Sequence, residues 1–282
     1  MIKSSATEVR IVPDNARDAT PLDKMLDRGW LMAILSPLAI LLIWEALVRA
    51  GALDSRFFPA PSSVIVELVA LCGTAELWID IGYSVSRMAI GFVLGAVPGV
   101  LLGIVLGISP LIRRVLQPVI SAIYPVPKIA LFPLVMLIFG IGEPSKWVIV
   151  AVAVFFQVFI STLSGVLNID RIYLDVASDF RATRWQAYRT IALPAALPFI
   201  FAGFQLGMGM ALIVVIIAED FGTEHGLGYI IWHSWQIFEV RDMFVALILV
   251  ALIGYLLQLG IVRLERLLVP WKQTPKRGNL RF

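Results

Sequence analysis

Residues 88–112, 147–169, 190–218 and 243–262 contain no Lys, Arg, Asp or Glu. A run of that length can cross a bilayer, which takes about 20 mostly apolar residues. In lipid each backbone N–H and C=O needs a partner within the segment, so such runs fold as helices. Two further stretches fit less cleanly: 30–48 carries Glu45, and 115–141 carries Lys128 and three prolines. The expected fold is therefore an all-α membrane protein with six transmembrane helices, at about 30–48, 85–109, 117–141, 147–169, 194–218 and 243–262. Composition agrees, because 59% of residues are hydrophobic and 15% charged, against about 25% charged in a soluble domain.

Residues 1–29 are polar, of mixed charge, and lack the short apolar core of a cleavable signal peptide. They read as an N-terminal tail, and 269–282 as a C-terminal one. The single cysteine, Cys72, forms no intrachain disulfide.

Six alternating spans create two sets of loops, and the side richer in Lys and Arg faces the cytoplasm. One set holds Lys3, Arg10, Arg17, Lys24 and Arg28, then Arg113 and Arg114, then Arg171, Arg181, Arg184 and Arg189, and finally Arg263, Arg266, Lys272, Lys276, Arg277 and Arg281. The other holds Arg49, Arg56, Lys146 and Arg241. Both termini and residues 170–193 are thus expected in the cytoplasm. The net charge of +3 follows from basic inner loops and calls for no nucleic-acid partner.

In the second span Gly91, Gly95, Gly99, Gly103 and Gly107 recur every four residues, which lines them along one helical face. Small residues let helices approach closely in lipid. The stripe, with Gly203 and Gly207 in the fifth span, is read as tight packing within the chain, against a subunit contact as the sharper alternative.

The third span is broken by Pro125, Pro127 and Pro133, each of which removes a backbone donor. Irregular backbone at membrane depth survives only beside protein or a water-filled cavity, so this segment should border a pathway. Lys128 lies within it and either faces that pathway or reaches back to the interface. Pro127, Lys128 and Glu219 are the pathway candidates; Glu219 and Asp220 close the fifth span and either mark the water boundary or shape an outer gate. Glu45 and Arg87 read as interfacial or paired charges of low functional weight.

The stretch 175–194, DVASDFRATRWQAYRTIALP, interrupts the oily chain with charge. Locally it reads as two short helices with a corner between them. Asp170 can cap the first, and Thr183 with Gln186 makes a capping box for the second. Tyr173, Val176, Ala177 and Phe180 form an apolar face on the first, Trp185, Tyr188 and Ile191 on the second. A cytoplasmic amphipathic pair either lies on the bilayer or docks into another protein.

That stretch resembles the coupling loop of bacterial ABC importer permeases, whose pattern is Glu-Ala-Ala, three residues, Gly, nine residues, Ile, one residue, Leu-Pro. Asp175-Val176-Ala177 stands at the acidic-Ala-Ala position, Arg181 at the glycine, and Ile191, Leu193 and Pro194 match without a gap. Asp175 keeps the charge with a shorter reach. Arg181 replaces a residue suited to a left-handed corner, so either the corner is wider here or Arg181 itself contacts the ATPase. Three more segments resemble the nitrate, sulfonate, taurine and bicarbonate subgroup: PKIALFPLVMLIFGIGEPSK (127–146), AED followed by GLGYI (218–230), and LERLLVPWK (264–272).

The resemblance covers roughly residues 30–272 and implies the type I importer permease fold with a cytoplasmic coupling helix. It implies a homodimer in a bacterial inner membrane, two ATPase subunits that bind the ATP, and a periplasmic or lipid-anchored solute-binding protein. It implies that Asp175, Ala177, Phe180, Arg181, Leu193 and Pro194 couple the permease to the ATPase. The chain has no Walker-type GxxxxGK loop, no Cys/His cluster and no nucleophile–base set, so no cofactor, metal or catalytic residue is expected in it. The implied cargo is a small anion, with an aromatic acid or a vitamin or pyrimidine precursor as the alternative. A non-ABC channel or carrier, or a membrane-embedded enzyme, are the rival classes.

Overall fold

The computed structural model describes residues 29–183, 186 and 188–271. Residues 1–28 and 272–282, which make up most of both tails, lie outside them, as do Arg184, Trp185 and Ala187 of the second amphipathic segment. Among the described residues the chain is helical without strands: α1 Gly29–Arg49, α2 Pro61–Cys72, α3 Ala75–Ile108, α4 Pro110–Ile123, a 3-10 turn Lys128–Leu131, α5 Phe132–Phe139, α6 Glu143–Leu167, α7 Arg171–Asp179, a π turn Tyr188–Ala192, α8 Leu193–Ala218, α9 Leu227–Gln236 and α10 Val240–Leu268. The helices α3, α6, α8 with its π turn, and α10 are each long and apolar enough to cross a membrane. α4 joined to the Lys128–Phe139 segment passes the same test as a pair bent by 87°. With α1, the six apolar segments expected are all helical.

The chain divides into two compact units, Met1–Ser62 and Ser63–Phe282. In the first, Glu45 accepts from Arg49 Nε at 2.6 Å, from Ser62 Oγ at 2.8 Å and from Ser62 N at 3.0 Å. Glu45 is thus a paired charge. After α1 the chain turns through Asp54, whose carboxylate is held down to about 2 by the Arg56 guanidinium and backbone N–H.

In the second unit, α6 is the central helix, packed between α3 on one side and α8 on the other. The glycine stripe explains the first contact. A Cβ at Gly91 would lie 2.6 Å from Val150 Cβ, and one at Gly103 would lie 2.7 Å from Thr162 Cβ. Gly95, Gly99 and Gly107 face α6 in the same way, and Gly203 of α8 meets Ser161. The small residues are therefore consumed within the chain, as the plainer reading expected. The core they allow includes Val150, Val154 and Val158 of α6 with Ala211 and Val215 of α8.

Two boundaries differ from expectation. The helix that holds the second expected span begins at Ala75, ten residues before residue 85, because its polar head is also helical. At 1.5 Å per residue its 34 residues run about 51 Å, well beyond a hydrocarbon core of about 30 Å. The expected single span 117–141 is instead two limbs meeting near a right angle. Pro125 and Pro127 sit in the break and Pro133 in the first turn of α5, where a missing N–H costs least. Two short helices, α2 and α9, went unanticipated, since neither is long enough to announce itself by hydropathy.

Candidate functional site

At the start of α6 and the end of α8 lies a buried cluster of charges. Arg87 of α3 is 2% exposed and Glu219, the residue that ends α8, is 0%. The guanidinium spans two carboxylates: Nε and Nη2 reach Glu143 at 2.8 and 2.6 Å, and Nη1 reaches Glu219 Oε1 at 2.9 Å. Nη1 also donates to the His225 carbonyl at 2.7 Å. Lys146, 1% exposed, donates to the Gly142 carbonyl at 3.2 Å and adds the second positive charge. Two cations thus balance two carboxylates, which is what a low-dielectric site requires.

The same cluster seats α9. Its leading N–H groups have no partner inside the helix, and side chains from other helices supply them. Gly226 N donates to Asp80 Oδ1 at 2.9 Å, Leu227 N to Ser84 Oγ at 2.8 Å and Gly228 N to Glu219 Oε2 at 2.8 Å. Ser84 Oγ in turn donates to Glu219 at 2.8 Å. A Cβ at Gly226, where φ is +131°, would lie 2.6 Å from Glu219 Cδ, and one at Gly228 would lie 2.7 Å from Glu219 Cβ. The Gly-Leu-Gly sequence therefore lets the backbone close onto the carboxylate. Glu219 is thus fully buried and is not a solvated boundary marker. Arg87, given little weight from the sequence, is the hub of the cluster. Its partners lie 56 and 132 residues away along the chain, so the only local signal was a polar face, Glu76, Asp80, Ser84 and Arg87, at the head of an apolar helix.

Lys128 stands on the 3-10 turn at the break in the third span. Its Nζ donates to the carbonyls of Tyr124 and, at 2.9 Å, of Val126, and lies 4.6 Å from the Phe156 ring centroid and 5.0 Å from that of Tyr124. Carbonyls at a helix C-terminus carry the negative end of its dipole, so the ammonium caps α4. Its neighbour Pro127 is exposed. The sequence weighed a pathway position against an interfacial one; the structure adds a tie that closes the break.

The amphipathic stretch lies beyond the C-terminus of α6. That helix has 25 residues, about 37 Å, separating the stretch from the charge cluster. Asp170 caps α7, accepting from Ile172 N at 3.2 Å. Thr183 and Gln186 form the expected box, with Thr183 N to Gln186 Oε1 at 2.9 Å and Gln186 N to Thr183 Oγ1 at 3.3 Å. Between them Arg181 takes φ +52°, and Ala182 N returns to the Ala177 carbonyl at 2.9 Å, the bond that closes a left-handed helix end. The corner is not widened by losing the glycine; Arg181 adopts the glycine's conformation, at a cost of about 1–2 kcal/mol.

Phe180 is 83% exposed, and Tyr173 and Val176 are exposed beside it. Asp175 and Arg181 are exposed as well, whereas Ala177 is buried. Leu193 and Pro194 are not brought to that face: Leu193 packs against the buried cluster that holds Ile104, Val166, Ala196 and Ile200, and Pro194 lies in the first turn of α8.

The fold has a match among solved structures. The chain superposes on a subunit of the inward-facing MetNI methionine ABC transporter with a TM-score of 0.60 over 68% of its length and 97% of that chain. At 19% identity this speaks for the fold alone. Sequence settles the family. Residues 99–273 match the binding-protein-dependent transport system inner membrane component, and the chain belongs to that family. It is 35% identical to the putative aliphatic sulfonates transport permease protein of Escherichia coli over 90% of this chain and 95% of that one. It is 31% identical to the taurine transport system permease protein of the same organism, over 83% and 87%. The chain is thus the permease component of a binding-protein-dependent ABC importer, which works with ATPase and binding-protein partners, and ATP hydrolysis belongs to a separate subunit.

Proposed function

We propose that this permease carries a small organic or inorganic anion of the sulfonate, taurine or nitrate type into the cell, as two copies around one pathway, with residues 170–193 and both termini in the cytoplasm. The carrying observation is the corner at 175–186. It holds an apolar face led by an 83% exposed Phe180, braced by caps at both ends, at the end of the bundle opposite the buried charges. Such a face is stable in water only when something covers it, and the Lys/Arg bias supports placing it where a cytoplasmic ATPase can. Asp175, Ala177, Phe180 and Arg181 form the docking corner. Leu193 and Pro194 join it to α8, so a push on the corner is delivered to a membrane helix. Closure of the ATPases would then tilt α6 and α8 together as one packed unit, the rigid-body route to alternating access. The resemblance to sulfonate and taurine permeases supports the anion.

The test is co-purification and uptake. The unsubstituted permease should co-elute with its ATPase and drive ATP-dependent uptake of taurine or an alkanesulfonate in proteoliposomes once the binding protein is added. Phe180→Asp should stay in the membrane and lose the ATPase on pull-down. Retained association would refute the docking corner.

A further inference from the structure

The outward faces of α8 and α10 are apolar: Leu206 and Ile213 on the first, Leu252 and Leu256 on the second, are exposed. Their glutamines are tied inside the bundle, Gln258 to Gln205 and Gln205 to Glu265. The central helix α6 is different. Along its inner half Gln157, Ser161, Ser164 and Asn168 recur at intervals of four, three and four residues, which sets them on one face. The first three are half-buried and Asn168 is exposed, so this polar face is accessible along its length. Gln157 lies 14 residues after Glu143 and 10 before Leu167, about 21 and 15 Å along the axis, which puts it near the middle of the membrane. A carboxamide turned toward hydrocarbon there gives up water and gains nothing in return. Polar side chains in a span face the bundle interior or a water-filled cavity instead.

The accessible part of the face has a closed end and an open one. Outward of Gln157 it continues through Ala153 and Val150, which are 1% and 0% exposed and belong to the buried cluster that holds Phe132 of α5. Inward it ends at Asn168, whose Nδ2 donates to the Ser164 carbonyl at 2.8 Å at the C-cap of α6. One edge is bordered by α8, where Gly203 meets Ser161. The face is thus sealed toward the charge cluster and open toward the end of the bundle that carries the docking corner.

Its chemistry suits an oxyanion in transit. Hydroxyls and a carboxamide donate hydrogen bonds without carrying charge, and residues 147–169 contain no carboxylate to repel an anion. Donors three or four residues apart stand about 4.5–6 Å from one another along the axis. A pathway has to hold its solute well enough to admit it and weakly enough to release it, over several sites in series. Positive charge stands beside the face, since Lys128 Nζ lies 4.6 Å from the ring centroid of Phe156, the residue before Gln157. We infer that Gln157, Ser161 and Ser164 line the inner half of the solute pathway and pass the anion's oxygens from one neutral donor to the next. This rests on the importer reading and adds to it the residues that meet the solute.

Labelling and uptake test it separately. Gln157→Cys, Ser161→Cys and Ser164→Cys, each in a Cys72→Ser background, are treated with sulfonatoethyl methanethiosulfonate, a small anionic thiol reagent, in the nucleotide-free permease–ATPase complex in lipid nanodiscs. All three should react at least about tenfold faster than Leu252→Cys on the apolar face of α10, because the reacting thiolate forms only in contact with water. Rates no faster than at Leu252→Cys put the face in lipid and overturn the pathway wall. A disulfide between two copies of Ser161→Cys, with no reaction toward the reagent, makes the face a subunit contact and overturns it as well. In proteoliposomes supplied with the binding protein, Gln157→Glu keeps the side chain's size and adds a negative charge. It should lower ATP-dependent uptake of taurine or an alkanesulfonate at least about tenfold, and more than Gln157→Leu does, with the ATPase still associated in both. Uptake by Gln157→Glu equal to that of the unsubstituted importer overturns the contact with the anion. An unsubstituted importer that takes up no sulfonate, taurine or nitrate overturns the anion reading instead, and with it the solute assigned to this face; the thiol rates then still show whether the face is wet.

Discussion

Arg87 and Glu219 show how much a single residue's meaning depends on its surroundings. A charge at the edge of an apolar run ordinarily marks where the lipid ends, yet here the run continues as a helix and the charge turns inward. Removing one member of a buried ion pair strands the other, at about 3–5 kcal/mol. Glu219→Ala should therefore lower the denaturation midpoint of the purified protein sharply. Glu143→Ala should lower it far less, by about 1 kcal/mol, because the Glu143 side chain is 37% exposed and water can replace it. Equal effects from the two would argue against a buried hub. Arg181 makes a second case. Arg181→Gly should stabilise the corner by up to about 1 kcal/mol, since relief of the left-handed strain exceeds glycine's added chain entropy, and Arg181→Val should destabilise it. Amide hydrogen exchange at residues 177–182 reads both outcomes.

At the scale of helices, the glycine stripe and the broken span do different work. The stripe brings α3 against the backbone of α6, so Gly103→Leu has nowhere to go and should destabilise the isolated permease by at least 1–3 kcal/mol. Had the stripe been a subunit contact, the same change would have altered assembly while leaving the single chain's stability intact. The broken span was legible as a break, from three prolines in nine residues, but not as a near right angle. At the break Lys128 ties down the Tyr124 and Val126 carbonyls, a contact that no local pattern announces. Lys128→Gln keeps a donor for the Tyr124 and Val126 carbonyls and should retain most transport, whereas Lys128→Met should not. If both fail alike in vesicle uptake, the positive charge matters for the anion more than the cap does. A further buried tie, Gln205 Nε2 to Glu265 at 2.9 Å between α8 and α10, also escaped the sequence, because each residue alone looks like an ordinary polar interruption.

For the whole molecule, the consequence is a division of ends. One end carries a charge-neutral cluster that binds α3, α6, α8 and α9 together; the other carries the exposed corner. A cysteine at position 180, introduced as Phe180→Cys in a Cys72→Ser background, should react with a membrane-impermeant maleimide only in inside-out vesicles. Reaction in right-side-out cells would reverse the orientation. The sequence by itself determined the membrane class, the six apolar segments, the position of the break and the capped amphipathic corner, because length, hydropathy and capping are local and survive being read one stretch at a time. Only the tertiary structure decided that the glycines serve α6, that Arg87 is a hub, and that Asp80, Ser84 and Glu219 hold the head of α9. Burying a charge is favourable only beside its counter-charge, and the counter-charges of Arg87 lie 56 and 132 residues away along the chain.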